Sequence, residues 1–224
     1  LPMLSMAKIR ITDMRVNGLD RPIGTDPDGK TVFSWILVSD KTETFQEAYQ
    51  VIISSQGKKL WDSGKVKSDN SIAVAYEGTL TPDTEYTWTL QVWDNHGSAS
   101  KKATSKWQTG IRTNDWKAQW ITASETPVPT YFRKAENLSG NIRKATAYIT
   151  SHGIYEAFIN GKRVGNYELT PGWTTYLKRL QYQAYDVTSL LQKGKNMIAA
   201  TVSPGWYSGG MNTGDPKHRY RFGN

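Results

Sequence analysis

In the second half of this chain a few carboxylates, two histidines and several loop-borne aromatics are the side chains whose spacing could do chemistry. Two carboxyl groups held a few ångströms apart can divide the work of general acid and base. Past residue 118 the carboxylates are Glu125, Glu136, Glu156, Glu168, Asp186 and Asp215. Asp186 sits in a Tyr-Asp-Val-Thr corner where capping is its natural work, and Glu156 lies within an alternating strand, so no catalytic residue is assigned. His96, His152 and His218 are widely separated, and cysteine is absent, which leaves no histidine or thiolate metal site. His152, just before Gly153, reads as a turn residue. The closing run from Ser208 to Asn224 has glycines without the strand-to-helix context of a phosphate loop. It reads as a long flexible loop.

Aromatic and amide groups carry more. Trp173 follows Pro171-Gly172, and Trp206-Tyr207 follow Ser203-Pro204-Gly205, so these rings stand where loops project. Asn160, Asn166 and Glu168 lie nearby in sequence and can donate or accept hydrogen bonds. A pyranose offers a C–H face that packs on a ring and hydroxyls that need polar partners. Trp173, Trp206, Tyr207, Asn160, Asn166 and Glu168 are therefore the candidate carbohydrate-binding residues. The competing role for both Trp residues is to close the rim of a core.

The elements that position these groups are strands. Nine Trp, twelve Tyr, five Phe and nineteen Gly in 224 residues suit short strands joined by tight turns, and long helical periodicity is absent. From Ile9 to Thr109, strands are expected at Thr31–Val38, Ala48–Ser54, Ser71–Tyr76, Tyr86–Asp94 and Ser105–Thr109. Alternation places Tyr86, Trp88, Leu90 and Val92 on one face. The polar, aromatic stretch Gly110–Trp120 marks a domain junction, giving domains 1–118 and 119–224, with Trp116 and Trp120 fastening the linker. Beyond it, Ala145–Ser151 and Ile154–Ile159 read as paired strands, and Asn160-Gly161 as a two-residue hairpin turn. Tyr185–Leu191 can make one helical turn, with Asp186 or Thr188 accepting backbone N–H groups.

Charge is unevenly placed. The chain carries +8 overall, and residues 119–224 alone hold 13 basic and 6 acidic side chains. Such a face suits a polyanion, acidic pectin included, and the competing role for charges placed as dispersed pairs is a solubilising surface. The basic residues come as dispersed pairs without interleaved aromatics, so nucleic acid is not an expected partner. No run approaches the roughly 20 apolar residues of a membrane span. The first residues, LPMLSMAKIRI, lack the order of an intact signal peptide and look like a processed or engineered start.

Taken together, several motifs resemble one enzyme family. Trp61-Asp62-Ser63-Gly64, Tyr86-Thr87-Trp88, Val92-Trp93-Asp94 and Trp116-Lys117-Ala118-Gln119-Trp120-Ile121 are similar to the leading fibronectin-like domain of bacterial α-L-rhamnosidases. Gly153-Ile154-Tyr155-Glu156, Asn160-Gly161, Pro171-Gly172-Trp173-Thr174, Tyr185-Asp186-Val187-Thr188 and Gly205-Trp206-Tyr207 resemble, in order, the β-sandwich that follows it. The resemblance implies two antiparallel β-sandwiches in tandem: a fibronectin III or immunoglobulin-like one, then a galactose-binding-like jelly roll cut short at its C-terminal end.

It also implies an accessory role, scaffold and carbohydrate contact, beside a catalytic (α/α)-barrel that removes terminal α-L-rhamnose by inverting hydrolysis. That barrel is not in this sequence, so the chain is expected to be a fragment without activity of its own. The partners implied are a rhamnose-containing glycan and the parent's catalytic domain, in the periplasm or outside a bacterium. Related rhamnose-binding modules hold calcium, which takes about 6 to 8 oxygen ligands. Here Thr174-Thr175 stand where many relatives carry acidic or amide groups, so no cofactor is expected and calcium is the alternative. The competing reading of the whole chain is a free-standing two-domain adhesion protein.

Overall fold

The computed structural model describes residues 9–123 and 129–208, nearly all of them strand, turn or loop. The chain divides into two compact units, Leu1–Lys117 and Ala118–Asn224.

In the first unit the strands are β1 (Arg10–Val16), β2 (Ile23–Thr25), β3 (Thr31–Val38), β4 (Gln46–Ser55), β5 (Lys58–Asp62), β6 (Val66–Lys67), β7 (Val74–Tyr76), β8 (Glu85–Asp94) and β9 (Ala103–Thr109). They form one sheet in the order β1-β3-β7 and another in the order β2-β9-β8-β4-β5, with β6 on β4. Every pair is antiparallel except β2 with β9. The period-two pattern of β8 works as expected: Tyr86, Trp88, Leu90 and Val92 are all at most 2% exposed. Phe33 of β3 meets Trp88 at 4.5 Å between ring centroids and Trp107 edge-on at 5.6 Å, and Tyr86 stacks on Trp107 at 4.9 Å. These rings lock the two sheets together.

The Trp-Asp-Ser-Gly motif has a structural task in this unit. Asp62 Oδ1 accepts from Gln50 Nε2 (2.8 Å) and from the Gly64 N–H (3.0 Å), while Ser63 Oγ accepts the Val51 N–H at 2.9 Å. The turn after β5 is thereby pinned to β4. The Gln50 and Gly64 bonds hold the Asp62 carboxyl below its ordinary pKa.

The second unit contains β10 (Thr130–Leu138), β11 (Thr146–Ile149), β12 (Ile154–Ile159), β13 (Lys162–Arg163), β14 (Gln183–Asp186), β15 (Gly194–Ser203) and a short helix, α1 (Gly205–Ser208). A four-stranded sheet runs β10-β15-β12-β13, and β11 pairs separately with β14. The expected pairing of 145–151 with 154–159 is thus corrected. The two segments belong to different sheets, because the chain bends at Gly153 (φ +107°), where a Cβ would run into the Ser203 carbonyl. Register places Tyr155, Val202 and Thr130 in one row, Ala157, Ala200 and Phe132 in the next, and Ile159, Ile198 and Lys134 in a third. Tyr155, Ala157 and Ile159 are buried with Val164, Tyr185 and Val187, packed against Ala147 and Ile149 of β11 and against Leu190 and Leu191.

Candidate functional site

Asn160-Gly161 forms the hairpin between β12 and β13 with φ of +51° and +78°, the left-handed pair that a two-residue turn requires. The Asn160 side chain then works inside the fold. Its Nδ2 donates to the Leu190 carbonyl and to Asn196 Oδ1, both at 2.9 Å, and its Oδ1 accepts the Met197 N–H at 2.9 Å. Asn196, only 1% exposed, donates in turn to the Gln192 and Gly194 carbonyls and accepts the Gln192 N–H. The Asp-Val-Thr corner is built likewise: Asp186 Oδ1 accepts both the N–H (3.0 Å) and the hydroxyl (2.6 Å) of Thr188, and Thr188 Oγ1 accepts the Ala145 N–H at 2.9 Å.

Two of the carboxylates converge on one guanidinium. Arg163 donates to both oxygens of Glu168 (2.9 and 3.0 Å), to the Tyr167 carbonyl (3.0 Å), and pairs with Glu156 at 3.1 Å. Two neighbouring carboxylates could in principle be an acid and a base. Here Arg163 holds Glu168 below the ordinary carboxylate pKa, whereas a general acid needs its pKa raised. Both side chains are also wet, at 48% and 73% exposure. Glu136 pairs with Lys134 at 2.6 Å. Glu125 and Asp215 lie outside the described residues.

The aromatic candidates gather at the other end of β12. Ile154 pairs with Ser203, so Trp206 and Tyr207 follow β15 at that end, while Asn160 stands at the far end, about 17 Å along a six-residue strand. The Pro-Gly-Trp loop joins the same end: the Tyr155 N–H donates to the Thr170 carbonyl and Thr170 Oγ1 to the Tyr155 carbonyl, both at 2.8 Å. Gln183 Nε2 holds the Pro171 carbonyl at 3.0 Å. Trp173 leaves this loop half exposed, Trp206 is partly buried, and Asn166 is exposed on the loop after β13. Gly205 (φ +50°) is required beside Ile154, whose Cγ1 would lie 2.5 Å from an added Cβ.

One cluster at this end was not visible in the sequence. His152 stacks on Trp120 at 4.2 Å and on Tyr207 at 4.3 Å, with planes 20° and 2° apart, and Tyr176 meets Tyr207 edge-on at 5.3 Å. Burial holds the His152 imidazole below its ordinary pKa. The structure therefore divides the six sequence candidates. Trp173, Trp206 and Tyr207 share an end with Trp120, His152 and Tyr176, whereas Asn160 and Glu168 are engaged elsewhere in the hairpin and the Arg163 ion pairs, and Asn166 stays exposed on the loop after β13.

No three His, Asp or Glu side chains converge to hold a metal among the described residues. At the Thr174-Thr175 position considered for calcium, Thr174 Oγ1 donates to the Arg179 carbonyl at 2.6 Å, and the loop carries Lys178 and Arg179. Thr174 and Thr175 supply two hydroxyls and no carboxylate at this position, whereas calcium takes about 6 to 8 oxygen ligands. Among the described residues no helix is long and apolar enough to cross a membrane.

Both units are built of β-strands, paired antiparallel except for β2 with β9, and in the second unit Glu136, Glu156, Glu168 and Asp186 are engaged in ion pairs or in the Asp-Val-Thr corner. Residues 11–113 match the Rha78A-like N-terminal immunoglobulin domain and residues 140–224 the α-L-rhamnosidase N-terminal domain, so the chain belongs to the N-terminal region of the α-L-rhamnosidases. An α-L-rhamnosidase of Formosa agariphila is 34% identical over 213 residues, covering 86% of this chain and 23% of its own length. The structure of the α-L-rhamnosidase from Dictyoglumus thermophilum agrees with a TM-score of 0.81 at 33% identity, over 88% of this chain and 25% of that one. The native Aspergillus terreus enzyme gives a TM-score of 0.80 at 26% identity, over 95% and 26%. The chain thus spans about a quarter of the length of these relatives.

Proposed function

We propose that this chain is the accessory N-terminal part of an α-L-rhamnosidase, serving as scaffold for a catalytic domain elsewhere in the parent and as a contact for rhamnose-bearing glycan. The observation that carries the reading is the ordered match of both units to domains of enzymes four times as long. The chemistry of the carboxylates supports it. Glycoside hydrolysis uses one acid of raised pKa and one ionised partner about 5 to 9.5 Å apart, and Glu156 and Glu168 are both tied to the Arg163 cation. A glycan substrate also favours a periplasmic or secreted location.

Sugar contact falls to the aromatic end, where Trp173 offers an exposed ring. Calorimetric titration of the 224-residue chain with L-rhamnose and with rhamnogalacturonan tests this. Weak binding that Trp173→Ala diminishes is the expected result. No heat with either ligand would remove sugar contact and leave the scaffold role.

A further inference from the structure

We propose that Trp120 is a second glycan platform, a residue that stacks against the C–H face of a pyranose. This rests on the glycan contact assigned above and adds to it a ring on a different segment of the chain. Trp120 is 61% exposed, more open than Trp173 at 51%. Its indole is nevertheless held, because the His152 ring lies against one face at 4.2 Å. His152 is backed by Tyr207, and Tyr207 by the edge of Tyr176. The four rings come from four separate segments: the stretch before β10, the bend before β12, the loop before β14, and α1.

The supports under this stack are fixed by backbone. His152 precedes Gly153, whose left-handed φ and contact with the Ser203 carbonyl leave the bend one course. Tyr207 sits on α1, where its N–H donates to the Pro204 carbonyl at 3.1 Å. A ring ordered before the ligand arrives loses little side-chain entropy on binding, and a half-open indole of this kind is what a sugar face requires. Tyr207 stacks on His152 and makes a T-shaped contact with Tyr176, so its contribution is to back Trp120. Trp173 stands at the same end of β12, which gives a glycan two rings within one unit.

Affinity electrophoresis of the whole chain in gels containing rhamnogalacturonan tests the proposal, with [15N]indole NMR as the second readout. The native chain should be retarded, and the Trp120 Nε1–H resonance, assigned from Trp120→Phe, should shift on titration. Trp120→Ala should weaken binding about tenfold, equivalent to about 1.4 kcal/mol. His152→Ala should weaken it as well, while His152→Phe, which preserves the stack, should retain it. Retardation lost in Trp173→Ala but unchanged in Trp120→Ala, with the Trp120 resonance unmoved, would overturn this proposal and leave the glycan reading intact. No retardation of the native chain would overturn both. A lower melting temperature for Trp120→Ala with unchanged retardation would also overturn it and make Trp120 a clamp on the linker.

Discussion

Replacing Asn196 by alanine should destabilise the second unit more than any surface substitution. The side chain is 1% exposed and makes four hydrogen bonds: Nδ2 to the carbonyls of Gln192 (2.7 Å) and Gly194 (2.9 Å), and Oδ1 from the Gln192 N–H and Asn160 Nδ2, both at 2.9 Å. Each such bond contributes a net of about 0.5–1.5 kcal/mol, so the four together span about 2–6. The lower half of that range applies, because Gln192 and Asn160 lie at the surface and water can satisfy them after truncation. A loss of about 3 kcal/mol follows. Asn196→Asp should be no milder, since it places a carboxylate against the Gln192 and Gly194 carbonyl oxygens. Urea denaturation followed by fluorescence measures the loss as a drop in midpoint at constant slope. A change below about 1 kcal/mol in Asn196→Ala would refute the argument that this amide holds the Asn-Gly hairpin and the β15 entry together.

Other consequences are equally direct. Gly153→Ala forces a side chain into a left-handed backbone against the Ser203 carbonyl and should cost about 3 kcal/mol, read as a lowered melting temperature. A loss within experimental error would show that the bend is not constrained. His152 is held below its ordinary pKa in the folded chain, so the unfolded state binds the proton more readily. Its contribution is complete above about pH 6.5 and is lost as pH falls from there toward the folded pKa. Melting temperatures of the native chain should therefore fall more steeply than those of His152→Phe below that pH, and parallel curves would contradict the assignment. Trp88→Ala empties the centre of the first core and should cost about 3–5 kcal/mol by chemical denaturation, a small loss meaning that the site collapses.

Much of the scaffold was legible because local chemistry dictates it. The alternation of Tyr86 to Val92, the Asn-Gly turn and the Asp-Val-Thr corner each carry their cause within a few residues, and Asp186 and Thr188 both cap backbone N–H groups. The strands β1, β2, β5 and β6 were missed, since β1 and β5 are mostly exposed and alternate poorly and β2 and β6 are only three and two residues long. The pairing of β11 and β12 was misread because sequence neighbours usually pair, and Gly153 redirects the chain between sheets. The candidate site was legible only as a set of side-chain types. Its division depends on contacts between distant segments, such as Arg163 with Glu168 and Glu156, or Trp120 with His152 and Tyr207, which no local pattern encodes.

The reading of this chain as an accessory region is tested most directly by hydrolysis of 4-nitrophenyl α-L-rhamnopyranoside. The purified 224-residue chain should release nitrophenol no faster than buffer at any pH from 4 to 8. Turnover that scales with the chain and disappears in Glu156→Gln or Glu168→Gln would contradict the account and make the Arg163-bridged carboxylates an active site.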